Sequence, residues 1–242
     1  MRTFLLAITF LLSATPLVWA QKTVGEVARF TILAPREGMQ KEFEGGYKNH
    51  LKWHIDHGDT WNWYGWFIAS GTRRGYFVDT TFGHSWADFD KPVSPAADVA
   101  DLEVNVFPFA RVLTQFTCTA LSAQSVGTSA ELSAALPQLA WFKIKPGQQL
   151  TFELFLAIFH DEIPKIVPEQ KFLWFRVEDG EQTPQYLLFL PHKSYSEMEN
   201  TQNLFDRLRS RKSETSTLIQ DSVAEVAIET MRYRADMTYL PK

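Results

Sequence analysis

Residues Ala34–Phe89 read APREGMQKEFEGGYKNHLKWHIDHGDTWNWYGWFIASGTRRGYFVDTTFGHSWADF, and Lys145–Met198 read KPGQQLTFELFLAIFHDEIPKIVPEQKFLWFRVEDGEQTPQYLLFLPHKSYSEM. The two stretches run in step. Gly38 to Gly71 and Gly147 to Gly180 are each 33 residues apart. At that offset of 109, Phe43 meets Phe152, Trp63 meets Phe172, Trp66 meets Phe175 and Trp86 meets Tyr195. A repeat comes before any motif, because it sets the architecture.

Working outward, each copy has the same order of elements. A short strand comes first (27–33; 140–145). A Pro/Gly turn leads to a helix (37–57; 148–163). Two strands then meet at a glycine-marked hairpin (61–70 with 76–82; 172–178 with 186–190). A second helix starts near Trp86 and near Tyr195, and a last strand closes each unit (110–121; 229–240). That order is β-α-β-β-α-β, a ferredoxin-like unit. The run Phe172-Leu173-Trp174-Phe175 has no polar face, as in a sheet covered on both sides. The predicted fold is therefore α+β: two tandem ferredoxin-like (βαββαβ) repeats packed sheet to sheet as a pseudo-dimeric α/β barrel. The repeats occupy 21–121 and 138–242. The connector, 122–137, is small and polar, ends in Pro137 and is expected at the surface.

Of the 242 residues, 45% are hydrophobic and 14% aromatic, which excludes a disordered chain and favours a large core or an aromatic-lined pocket. Net charge is −4 and no run of five basic residues occurs. Nucleic acid and anionic membrane are thus not expected partners. Arg2, the apolar run Phe4–Leu12, Pro16 and Val18-Trp19-Ala20 read as a signal peptide over residues 1–20, cut before Gln21. The expected location is periplasmic or secreted, with no membrane contact after cleavage. Cys118 is the only cysteine, so an internal disulfide is excluded.

The segments Lys145-Pro146-Gly147 and Phe82-Gly83-His84-Ser85-Trp86 resemble corners of the dimeric α/β-barrel superfamily, in its NIPSNAP-type and antibiotic-biosynthesis-monooxygenase-type members. The resemblance covers both halves. It implies two ferredoxin-like units with joined sheets, in a superfamily of cofactor-independent oxygenases, haem-binding enzymes and proteins without assigned roles. Fold alone does not choose among them.

The difference between the copies points to a site. Leu154, Phe155, Phe159 and Ile163 of the second helix match Gly45, Gly46, His50 and His54 of the first. Each mid-helix glycine costs about 1 kcal/mol relative to alanine. Lost core volume costs more, so a ligand or bulky neighbours must compensate. His50, His54 and His57 form one helical stripe, a spacing that can hold a metal or flank a haem. It is also common on solvated helices, and His57, before Gly58, suits a last turn. Asp79 lies in a strand opposite the apolar Leu188. A histidine is its expected partner, and such a pair can act as a general base. His50, His54 and Asp79 are thus the catalytic candidates. Gly45, Gly46, Tyr47, Trp63, Trp66, His84 and Trp86 are the expected lining of a first-repeat pocket. Arg73, Arg74 and His160 are expected in solvent, and Cys118 in the core.

No nucleophile elbow, P-loop, dinucleotide fingerprint or zinc-protease motif occurs. The leading expectation is an exported protein binding a small aromatic or apolar ligand, with cofactor-free oxygenase or isomerase chemistry open. One alternative is a haem or metal protein using His50 and His54. Another is a non-catalytic envelope or binding protein. The cofactor, the reaction and self-association are left open.

Overall fold

The computed structural model describes residues 26–241. The signal-peptide reading lies outside them. The elements are β1 Val27–Pro35, α1 Gln40–Asp56, β2 Tyr64–Ile68, β3 Phe77–His84, α2 Pro95–Asn105 and β4 Ala110–Ala120, then β5 Gln138–Ile144, α3 Gln149–Ile166, β6 Leu173–Asp179, β7 Gln185–Leu190, α4 Tyr195–Met198, α5 Leu204–Arg211, α6 Glu214–Ser222 and β8 Val223–Tyr233.

The eight strands form one closed antiparallel barrel in the order β4-β1-β3-β2-β8-β5-β7-β6. Each half contributes four neighbours in matching order. The halves do more than face each other: they are hydrogen-bonded at both edges. β2 pairs with β8 (Trp66 opposite Tyr233), and β4 pairs with β6 (Cys118 opposite Val177). Closure leaves neither half-sheet with a free edge.

Strand alternation explains the absent polar face. All five residues of β2 are buried. Tyr64, Trp66 and Ile68 point into the barrel with Phe30, Phe82, Phe116, Phe175 and Phe189. Phe67 points outward, with Phe43, Tyr47, Leu51 and Phe77, beneath α1 and α2. A third cluster, rich in phenylalanine, lies under α3, α5 and α6.

Several expectations are corrected. The last strand begins at Val223, six residues early, because the β-branched Val223, Val226 and Ile228 pair with β5. Tyr239 instead bridges Trp63. The stretch at Trp86 is a single 3₁₀ turn, Trp86–Asp90, and α2 starts only at Pro95. Near Tyr195 there are three helices in place of one. The connector's polar residues are largely exposed, yet its Leu132 is buried in the barrel cluster. Arg73 is half-buried: it makes a two-point pair with buried Glu229 (3.0 and 2.5 Å) and lies over Trp141. This ties the β2–β3 hairpin to β8. His160 is half-buried, edge-on to Phe172.

Candidate metal centre

α1 lays Phe43, Tyr47 and Leu51 on the sheet, and its next ridge carries Gly46, His50 and His54. These three face α2. A Cβ on Gly46 would stand 1.7 Å from the backbone oxygen of Asn105. The glycine therefore admits the backbone of α2, and no pocket opens there. Gly45 is exposed and its surroundings are empty. Its counterpart Leu154 is also exposed, so that pair is a surface difference, not a core one.

With α2 this close, its acidic side chains reach the histidines. His50 Nδ1 lies 2.8 Å from Asp101 Oδ2, whose other oxygen accepts from Asn105. His54 Nδ1 lies 2.8 Å from Asp59 Oδ2, in a poorly aligned contact. Asp59 is itself held by Trp63 Nε1 (2.9 Å) and the Trp61 amide (3.0 Å). A carboxylate only accepts, so the His50 Nδ1 that bonds Asp101 carries a proton. Both Nε2 atoms turn inward. The two Nε2 atoms are 3.2 Å apart, and Asp98 Oδ1 is 3.5 Å from one and 3.8 Å from the other. Asp98 Oδ1 is buried and has no hydrogen-bond partner.

Two Nε2 atoms in hydrogen-bond contact and one unpartnered carboxylate oxygen thus converge. Two nitrogens bound tetrahedrally to one zinc-sized ion lie about 3.3 Å apart. The Nε2 spacing matches that geometry, and His50, His54 and Asp98 form a cluster that could hold a metal ion. Carboxylates behind the ring nitrogens are the usual outer support of metal-bound histidines. The same histidines do not fit a haem edge. α2 packs directly over them, so no flat macrocycle fits between the two helices.

Charge in the cluster is one-sided. Among the described residues, no Lys or Arg ion pair reaches Asp59, Asp79, Asp98 or Asp101. Burial pushes His50 below the usual histidine range, against the pull of Asp101. Burial also pushes Asp98 up, opposed by the two histidines. Asp59 is pushed up by burial but held lower overall by His54 and Trp63.

The remaining candidates fall elsewhere. The partner of Asp79 is Tyr47, whose hydroxyl donates to it at 2.7 Å, and not a histidine. Burial raises Asp79 to about 6. Trp63 joins the centre through Asp59 and stacks near His54 (ring centroids 4.8 Å). Trp66 points into the barrel, on the far side of the sheet. His84 bonds Thr81 and packs on Trp61. Trp86 is 52% exposed. His57 caps its own helix end through Trp53 O, as its position predicts. Asp98, Asp101 and Asp59 were not among the expected residues. The only sequence signal for Asp98 and Asp101 is acidic residues spaced three apart on a helix after Pro95, a pattern that solvated helices share, and Asp59, in the turn after α1, carries none.

A cavity of about 580 Å³ opens at one end of the barrel. Phe82, Leu132, Leu173 and Phe175 form its apolar part, with Asn62, Ser125 and Thr128 among its polar residues. None of the pocket residues expected around α1 lines it.

No family model and no curated protein matches the chain. Solved structures do. A "putative monooxygenase" from Lactobacillus acidophilus NCFM superposes with a TM-score of 0.55 at 10% identity, over 88% of this chain and 94% of that one. An anthrone oxidase-like protein gives 0.54 at 11% identity, over 88% and 92%. A chlorite dismutase from Candidatus Nitrospira defluvii gives 0.55 at 7% identity, over 85% and 90%. At such identities the likeness concerns architecture alone: the chain has the dimeric α+β barrel fold that these proteins share.

Proposed function

We propose that the protein binds a divalent transition-metal ion of the zinc class between α1 and α2, with His50, His54 and Asp98 as ligands and Asp101 and Asp59 behind them. The observation that carries this is the convergence of two imidazole nitrogens and the buried, unpartnered Asp98 Oδ1 within 4.8 Å of one another. Imidazole nitrogen with one carboxylate suits zinc and its neighbours better than calcium or magnesium. On this reading His50 and His54 hold a cation and do not act as bases. Asp79 and Tyr47 form a buried pair beneath them. The test is metal content and binding titration on the purified chain, freed of tags and chelators. One tightly held ion per chain is expected, with His54→Ala abolishing it and Asp101→Asn weakening it about 10–100-fold. Parent protein that takes up no zinc, cobalt or nickel would refute the reading.

A second reading is favoured by the barrel-end cavity: a small apolar or aromatic ligand on Phe82, Leu132, Leu173 and Phe175. Oxygenase-type descriptions among structures of the same fold agree with it. Quenching of tryptophan fluorescence by candidate aromatics, lost in Leu132→Arg, would test it. We further read the halves as tandem copies, 21–121 and 138–242, of an exported protein. The matching strand order supports duplication, as do the paired positive φ angles of Gly38 with Gly147 and Gly71 with Gly180.

A further inference from the structure

α2 is seated at one end only. Its C-terminal end is held by the close approach of Asn105 to Gly46 and by the partly buried Leu102. Its N-terminal half has no such support. No residue of α2 is buried, and Val99 is 50% exposed. The residue before it, Ser94, takes a left-handed φ of 38°, and no side chain caps the helix. A non-glycine residue there is strained unless its surroundings hold it. What faces α1 from this half is Asp98, whose Oδ1 stands 3.5 and 3.8 Å from the two Nε2 atoms. Without a cation Asp98 Oδ1 is buried with no hydrogen-bond partner, and water would solvate it better.

We infer that the ion is the latch of this segment: metal loading fixes the N-terminal half of α2 on α1, and metal loss releases it. The inference rests on the metal reading above and adds a regulated element to it. An ion binding only the closed arrangement stabilises that arrangement by mass action. Release would bare His50, His54 and the α1 ridge, while the Asn105 end stays seated.

The test is amide hydrogen exchange on the full chain, followed by mass spectrometry, with zinc or with chelator, and zinc content measured on the same samples. α5, on the other half, is the internal reference. Zinc is expected to slow exchange across residues 97–101 by about tenfold or more and to leave α5 unchanged. Asp98→Asn, nearly the same size, should keep α2 helical and lose most of the zinc-dependent protection, even where the two histidines still hold zinc. Bound zinc with unchanged exchange in α2 would overturn the latch and leave the metal site standing. Equal zinc-dependent protection in Asp98→Asn would overturn a latch acting through Asp98. A parent chain that retains no zinc would overturn both readings together.

Discussion

Under α3, Phe155 and Phe159 pack with Trp174 and Phe205, and Ile163 completes the same buried stripe. At the matching positions α1 carries Gly46, His50 and His54, and the layer above it is a single helix, with Asp98 and Asp101 toward α1, in place of α5 and α6. One barrel thus carries two coverings. The second half is sealed by aromatic area, which needs no partner beyond itself. The first half is closed by backbone contact at Gly46 and by carboxylate–imidazole contacts. An apolar covering stabilises at any ionic composition, whereas on the proposed metal reading the polar one depends on the cation it holds.

The contrast can be broken most sharply at Gly46. Gly46→Leu places a side chain against the Asn105 backbone, which cannot swing aside as a flexible side chain would. A loss of about 3 kcal/mol or more is expected, together with loss of metal binding. Calorimetry showing a stable variant with α2 in place would mean that the helices do not approach as described.

Asp79 gives the next effect. Its carboxyl is raised to about 6, chiefly by burial. The folded state therefore takes up this proton before the unfolded state does. Stability from this group is full below about pH 4 and is lost as pH rises through about 6. Asp79→Asn should flatten that slope in metal-free protein and add up to about 3 kcal/mol at pH 7. Denaturant melts from pH 4 to 7 that keep the parental slope would assign it to another group.

Glu229→Gln serves as the reference common to both halves, since the Arg73–Glu229 pair spans a seam. Weakening it should cost about 2 kcal/mol, equally with and without zinc. A zinc-dependent cost would couple the seam to the metal centre. The smallest expected effect is at Gly45. Its surroundings are open, so Gly45→Ala should stabilise α1 by about 0.5–1 kcal/mol and leave metal affinity untouched. A larger change, or altered affinity, would give Gly45 a role the surface position does not.

The fold was legible where local pattern and burial agree. Runs such as Tyr64–Ile68 and Phe172–Phe175 carry their two-sided burial in their composition, and Gly38, Gly71, Gly147 and Gly180 mark turns that need positive φ. His50 and His54 were legible as a pair because helical spacing alone sets them side by side. The meaning of Gly46 was not: the sequence shows missing volume, but not that a neighbouring backbone fills it. Asp98 and Asp101 were hidden for the same reason. They reach the histidines only through the crossing of two helices, and tertiary approach leaves no periodic trace. Arg73 was misread because hairpin tips are usually wet, whereas this one folds over the barrel end.

The place of β8 bears on how the chain is made. The strand between β2 and β5 is the last to leave the ribosome, and its partners in β2 precede it by more than 150 residues. Until Val223–Tyr233 arrives, both neighbours expose unpaired edges, and the ring cannot shut. Such late, distant pairing slows folding and lengthens the time during which strands can join other chains. A chain stopped at residue 222 would lose two pairings and its closure at once. Recovery of that product in aggregates, with the full chain soluble, is the expected outcome of expressing them side by side.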